Sequence, residues 1–193
     1  MPDERYDLTQ APPNMSRLPE YERDEAWIRD FLQRAPIGHV ASRWDDQPFI
    51  TPSTFWYDQQ GHQIFFHSNR VGRVRANIER HQRVCFEASE WGRFLPSNLA
   101  MEFSLQYASV IVFGTARIIQ DSQEKRRALY GLIEKYFPGM QAGQAYRPIT
   151  DQELRHTSVI AISIESWSGK ENWPAQAEQS DEWTPLAPAN AGG

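Results

Sequence analysis

The segment His67-Ser68-Asn69-Arg70-Val71-Gly72-Arg73-Val74-Arg75-Ala76-Asn77 packs three arginines into six residues. The run before it, Gln63 to His67, reads as a strand, and Val71 to Arg80 reads as a short helix. Arg70, Arg73 and Arg75 therefore crowd the positive end of a helix dipole, where each cation costs roughly 0.3–1 kcal/mol. An anion reverses that cost. Free backbone N–H groups, Ser68, Asn69 and two or three guanidinium groups, with Gly72 at the turn, would together hold a phosphate. The alternative is a solvated basic helix, and one glycine makes neither a P-loop nor a dinucleotide fingerprint. His39, His62, His67, His81 and His156 show no metal-ligand spacing, so no metal site is expected. His67 alone abuts the phosphate loop, which sets a functional role beside the commoner structural one.

A second cluster is Trp167-Ser168-Gly169-Lys170-Glu171-Asn172-Trp173. Two tryptophans beside a Gly-Lys step are costly to leave in water, so something covers them. They pack on the chain's own core, or they stack on an aromatic ligand with Lys170 at its charged part. A third stretch places Thr51, Pro52, Ser53 and Thr54 between aromatic residues. Pro52 cannot donate to a ladder, so this strand lies at an edge or is bulged there. No G-x-S-x-G elbow is present, and Cys85 sits in an apolar strand context where a thiol is inert. What remains is a phosphate-bearing cofactor held by the protein.

Composition narrows the field further. A chain of 193 residues suits one domain with its own core. The net charge of −5 gives no general basic field for nucleic acid or anionic lipid. With Cys85 the only cysteine, an intramolecular disulfide and a Cys-based zinc site are both excluded. Met1 to Gln10 is charged and lacks an apolar run, and no stretch approaches the roughly 18 apolar residues of a membrane span. The expectation is a cytoplasmic protein that binds neither nucleic acid nor membrane.

The elements that must position these residues can be read along the chain. Residues 1–20 and 174–193 are polar and Pro-bearing, and read as arms around a domain at 21–173. An amphipathic helix is expected from Glu22 to Arg34, then strands at 37–44, 48–57 and 63–67 forming an antiparallel meander. After the helix at 71–80 come a strand at 83–88 and a loop containing Gly92, Pro96, Ser97 and Asn98. A long strand at 105–119 is expected to bend at Gly114. Asp121 or Ser122 caps a helix that stops at Pro138-Gly139, and Thr150-Asp151-Gln152-Glu153 forms a capping box. A strand from Thr157 to Ser166 closes the sheet. Some six antiparallel strands with a few short helices fit a mainly β barrel better than a parallel α/β sheet.

Several of these residues, in this order, resemble the pyridoxamine-phosphate-oxidase-like flavin-binding split barrels. They are Pro48-Phe49-Ile50-Thr51-Pro52, Ile64-Phe65-Phe66-His67-Ser68, Gly72-Arg73 and Arg83-Val84-Cys85-Phe86-Glu87. Phe94-Leu95-Pro96-Ser97-Asn98, the strand from Tyr107 to Ala116, Arg147-Pro148-Ile149 and the Trp167–Trp173 cluster extend the likeness over about residues 20–175. Within that superfamily the chain looks most like the Nim branch, the nitroimidazole-resistance reductases. The resemblance implies a six-stranded split β-barrel, homodimeric, with FMN sites at the subunit interface. It implies that Ser68 to Arg73 hold the phosphate, that the ring lies along Thr51 to Thr54 under the partner chain, and that His67 is the functional histidine. The chain departs at Val74, where many relatives have Lys, and at Ala108, where many have Arg; both bear on cofactor affinity. The Arg-rich signature of true pyridoxamine phosphate oxidases is not recognisable.

The leading expectation is a flavin-dependent reductase taking a small nitro-aromatic substrate from nitro to amine, with His67 stabilising charge on the nitro oxygens. The alternative is a non-catalytic FMN- or haem-binding split barrel with His67 as the ligand, and a third is a barrel that has lost its cofactor.

Overall fold

In the computed structural model, which describes residues 18–186, buried and exposed positions alternate along most strands. That period of two sorts the apolar residues onto one inner face. β2 (Gly38–Trp44) and β3 (Gln47–Ser53) form a hairpin, with Asp45 of the turn at φ 50°. β6 (Arg83–Leu95), β7 (Ser104–Ile118) and β8 (Thr157–Asn172) are long antiparallel neighbours. β5 (Gln63–Asn69) pairs with β8, β4 (Trp56–Asp58) with β5, and the two-residue β1 (Glu22–Arg23) with the far end of β8. The order is β3-β2-β6-β7-β8-β5-β4, with six strands of seven residues or more and two short ones. This is the expected mainly β split-barrel architecture.

Why the sheet curls follows from its connectivity. β3 and β4 are the two ends of the ladder, yet only Thr54 and Phe55 separate them in sequence. Three residue steps reach at most ~11 Å, so the ends are drawn together without hydrogen-bonding to each other. The barrel is closed there by chain rather than by ladder. Inside it lie Val40, Phe55, Tyr57, Ile64, Phe66, Phe86, Val110, Val112, Ile160 and Ile162. Two helices plug it, α1 (Glu25–Arg34) with Ile28, Phe31 and Leu32, and α2 (Arg73–Arg80) with Val74 and Ile78. A third, α3 (Ser122–Tyr136), lies on the outside, where Phe65, Val159 and Ala161 pack with Ala128 and Leu129. That second layer explains why β5 and β8 read as unbroken apolar runs: both of their faces are covered.

The local signals act as expected at several points. Asp121 caps α3 by accepting from the Glu124 N–H at 2.8 Å, and α1, which starts later than expected, is capped by Asp24 accepting from the Trp27 N–H at 2.9 Å. Thr150 and Glu153 form a reciprocal capping box on α4 (Asp151–His156). The β7–β8 register shifts between Phe113 and Gly114, where a Cβ on Gly114 would sit 2.2 Å from the Ser163 carbonyl oxygen. Among the described residues, no helix is long and apolar enough to cross a membrane.

Other expectations are corrected. The stretch 48–57 is two strands, which go to opposite ends of the ladder, so the first three strands form no meander. Glu22 and Arg23 belong to β1 rather than to the first helix. β6 runs on to Leu95, taking Gly92 into a strand instead of a loop. β8 runs on to Asn172, so most of the Trp167–Trp173 cluster is sheet. Each extension rests on a long hairpin partner, β7, whose pairing overrides weak local propensity. The expected N-terminal arm lies almost wholly outside the described residues. Residues 174–186 run along the β6–β7 hairpin, with Ser97, Asn98 and Gln106 bonded to the carbonyls of Glu178, Ser180 and Pro174.

Candidate functional site

The end of β5 delivers the polar residues singled out by type. His67 and Asn69 are two residues apart, and both are exposed on the outer face of the strand. No hydrogen bond or ion pair occupies the His67 imidazole among the described residues, whereas Asn69 Oδ1 accepts from the Arg70 N–H at 2.9 Å. Gly72 is the N-cap of α2, in extended backbone and with no side chain bonding the first-turn N–H groups. Those donors are left for solvent or a ligand.

Beside this turn lies a cleft of about 580 Å³ lined by Asn69, Arg70, Val71, Arg75, Glu79 and His156. Arg75 donates to Glu79 Oε1 and to Ser158 Oγ, both at 2.8 Å, which fixes its fork. Lys125 of α3 donates to the carbonyls of Leu154 and Thr157 at 3.4 Å. Burial pushes the pKa of this lysine down, and the positive charges of Arg75 and Arg70 push it the same way. Arg70 and Arg75 of the lining thus repel Lys125 nearby, and Glu79 is the one lining carboxylate among the described residues. An anion of phosphate character would relieve that repulsion.

A second cleft, of about 560 Å³, adjoins the first. It is lined by Thr54, His67, Leu129, Leu132, Ile133, Tyr136, Phe137, Tyr146, Arg147, Ile149, Glu153 and Thr157. They meet where His156 of the first precedes Thr157 of the second. Lys125, Leu129, Leu132, Ile133 and Tyr136 follow the helical period along one face of α3, spanning ~16 Å. Opposite them run His67 and Asn69 on β5, with Thr157 paired to Asn69 and His156 next to it. A cationic end and an apolar end therefore meet at the last turn of α4. Thr54 enters from the barrel seam, held by Tyr136, whose hydroxyl accepts from the Phe55 N–H at 2.9 Å.

The structure brings His67, Ser68, Asn69, Arg70, Gly72 and Thr54 to these clefts or their rim. It does not bring the others there. The Arg73 guanidinium lies over the rings of Trp44 and Phe49, 5.3 and 5.4 Å from their centroids, on the side of the β2–β3 hairpin. Thr51, Pro52 and Ser53 stay on edge strand β3, where Pro52 opposes His39 and interrupts no ladder with a further strand. Trp167 stands eight residues along β8 from Val159, the partner of His67, or ~26 Å. It packs on Tyr57 and His62, with the Arg29 guanidinium 4.9 Å over its ring. Lys170 pairs in the ladder with Ser109 and Glu22, and Trp173 packs beside Gly92, where a Cβ would come within 2.7 Å of it. Val74 and Ala108 both point into the core, so neither position presents a side chain to the clefts.

Lys125 and Tyr146 were not singled out in the sequence, Arg147 entered only through the family likeness, and His156 only among the histidines without metal-ligand spacing. One signal for Lys125 was present: it stands four residues before Leu129 on the same helical stripe. His156, Tyr146 and Arg147 reach the clefts through tertiary packing of the 137–157 segment.

Comparison with known proteins bears on this arrangement. The family model described as pyridoxamine 5'-phosphate oxidase matches residues 23–171. No curated protein matches the chain. Among solved structures, the flavocytochrome Anf3 from Azotobacter vinelandii is 26% identical with a TM-score of 0.77, covering 94% of this chain and 80% of that one. A FAD and heme binding protein from Mycobacterium smegmatis is 23% identical with a TM-score of 0.71, covering 88% and 89%. A candidate 5-nitroimidazole antibiotic resistance protein from Bacteroides thetaiotaomicron is 21% identical with a TM-score of 0.65, covering 77% and 84%. The matched span contains all of the ladder but Glu22 and Asn172 and holds both clefts, and on that ground the chain belongs to the pyridoxamine 5'-phosphate oxidase family.

Proposed function

We propose that this protein is a flavin-dependent reductase of nitro-aromatic and related electron-poor compounds, acting as a homodimer. The observation that carries the reading is the joining of a cationic cleft to an apolar cleft that holds an uncommitted histidine. Arg70, Arg75 and Lys125, with the open N–H groups of the α2 first turn, would hold the flavin phosphate. FMN is the flavin the resemblance implies. When bound, the flavin supplies the electrons for reduction. His67 then donates a hydrogen bond or proton to an oxygen of the acceptor as negative charge grows there. Leu129, Leu132 and Ile133 keep water from that contact and strengthen it.

The homodimer is supported by apolar surface that one chain leaves in water. Ile50 is 71% exposed, Trp91 70% and Phe94 78%, on β3 and β6. Thr51, Pro52 and Ser53 lie on the same strand as Ile50, so pairing across this surface would bring them, with the Trp173 end of β8, toward a second chain.

Titration with FMN, followed by flavin absorbance and fluorescence, tests the reading. Micromolar or tighter binding that weakens steeply with salt is the expected result. A protein indifferent to FMN and FAD overturns it.

A second reading has its own observation. His67 faces an apolar cleft with Arg147 at its wall, a setting suited to a flat apolar group that bears carboxylates. The flavocytochrome likeness adds haem to the ligands to try. In that case His67 would be the iron ligand, and a Soret band on reconstitution that His67→Ala removes is the expected result.

A further inference from the structure

Within the His67 cleft, Arg147 has a setting that reductase chemistry alone does not require. Its NH1 donates to the Pro148 carbonyl at 2.9 Å and to Glu153 Oε2 at 3.3 Å, and its NH2 donates to Glu153 Oε1 at 2.7 Å. Of five guanidinium N–H donors, three are spent on holding the group still. Two are left for something else. The same Glu153 Oε2 also accepts from the N–H and the hydroxyl of Thr150, each at 2.8 Å. The carboxylate thus works as a fixed bracket for the cation and for the helix cap together.

The surroundings favour negative charge. The protein carries a net charge of −5, yet Arg70 and Arg75 line one cleft and Arg147 the adjoining one, with Lys125 close enough to feel the charges of Arg75 and Arg70. The acids there, Glu79 and Glu153, are each bonded to an arginine. A local positive field on an acidic protein draws anionic ligands to that place. Beside the fixed fork the walls are apolar, formed by Leu129, Leu132, Ile133 and Phe137.

We propose that Arg147 is a specificity residue of the His67 cleft, receiving a carboxylate on a flat aromatic acceptor whose ring packs on the apolar wall of α3. Aromatic carboxylates, rather than neutral nitro-heterocycles, are then the preferred substrate class. The proposal rests on the reductase reading for turnover, but not for binding.

The probes are 4-nitrobenzoate and nitrobenzene, which share a ring and a nitro group and differ in the carboxylate. Calorimetric affinities are measured on the flavin-treated and the untreated full chain. Wild type is expected to bind 4-nitrobenzoate at least roughly tenfold tighter than nitrobenzene, as a charge-assisted hydrogen-bonded pair implies. Arg147→Gln is expected to remove that preference while holding nitrobenzene within about twofold, and Arg147→Lys to keep part of it. The Thr150–Glu153 cap survives both changes. Arg147→Gln/Glu153→Gln checks the alternative that a freed Glu153 merely repels the probe, and it too is expected to show no preference. Equal affinity of wild type for the two probes overturns the proposal. So does equal loss of both in Arg147→Gln, an unchanged preference there, or its return in the double variant. If FMN and FAD fail to bind while the carboxylate preference stands, the reductase reading falls and the binding assignment remains.

Discussion

The two regions that residue type marks for chemistry turn out differently. At the end of β5, among the described residues, the His67 imidazole has no hydrogen-bond or ion-pair partner and no side chain caps the α2 first turn, while Arg70 and Arg75 line one cleft and repel Lys125 nearby. At the far end of β8, the chain itself takes up Trp167 and part of Trp173, which stays 44% exposed, and holds Lys170 through its backbone. Trp167 is wedged among Tyr57, His62 and Arg29, Lys170 sits in the ladder, and Trp173 fills the space that Gly92 leaves. Side-chain chemistry was equally suggestive in both places. What separates them is whether the protein has already satisfied that chemistry internally.

If this contrast is real, changes at one region move stability and changes at the other move binding and turnover. The largest effect is expected from Trp167→Ala, a loss of about 3 kcal/mol in unfolding free energy from a large side chain at the edge of the core. Chemical denaturation measures it, and FMN affinity per folded molecule is expected to hold within about threefold. A collapse of FMN affinity in folded Trp167→Ala would return this end of β8 to the site.

His67→Ala should show the converse. Turnover of a nitro-aromatic acceptor is expected to fall about 100-fold, as loss of a positioned proton donor does. The denaturation midpoint should stay within the scatter of surface substitutions, about 0.5 kcal/mol, because the imidazole is exposed and makes no hydrogen bond or ion pair among the described residues. Steady-state kinetics beside a urea titration reads both numbers.

The arginines of α2 sharpen the comparison on a finer scale. Arg75→Ala is expected to weaken FMN by about 2 kcal/mol, roughly thirtyfold, by removing a fixed fork from the phosphate cleft. Arg73→Ala, two residues away, should change FMN affinity by less than about threefold, since its guanidinium lies on Trp44 and Phe49. Equal losses in the two variants would mean that Arg73 leaves its aromatic seat when the cofactor binds.

That pair also shows what the sequence could reveal. The barrel was legible because it rests on local signals: the strand at 37–44, the caps Asp121 and Thr150, and the bend at Gly114. The loop around Arg70 was legible for the same reason, as cations accumulate where a helix begins. Which arginine faces the cleft was not, because α2 buries Val74 and thereby turns Arg73 and Arg75 to opposite flanks. The split of 48–57 was equally hidden. It depends on β8 pairing with β5, a contact made across about 100 residues of chain.

Lys135 tests the contrast from the other direction, since its chemistry looks functional and its contacts do not. Burial brings its pKa down to about 7 from the ordinary lysine value of 10.5. A lysine near neutrality invites a catalytic role. Yet its Nζ donates to the Leu32 carbonyl at 3.1 Å and lies 3.4 Å from the Phe55 ring centroid, so it clamps α3 and α1 at the barrel seam. Between pH 7 and 10.5 the unfolded chain holds a proton here that the folded chain has released. Stability contributed through this group therefore rises with pH across that window, and below pH 7 its full burial cost applies. The gain between pH 7 and 9.5 is expected to be about 1 kcal/mol, discounted from the full shift because the amine is only partly shielded from water. Above pH 10 the trend reverses, because Tyr57 and Tyr136 ionise in the unfolded chain while burial keeps their hydroxyls protonated in the folded one. Lys135→Met should flatten the rise while leaving FMN affinity unchanged. A variant that keeps the rise but loses FMN would place Lys135 with His67 and Arg75, and the division between satisfied and waiting chemistry would have to be redrawn around α3.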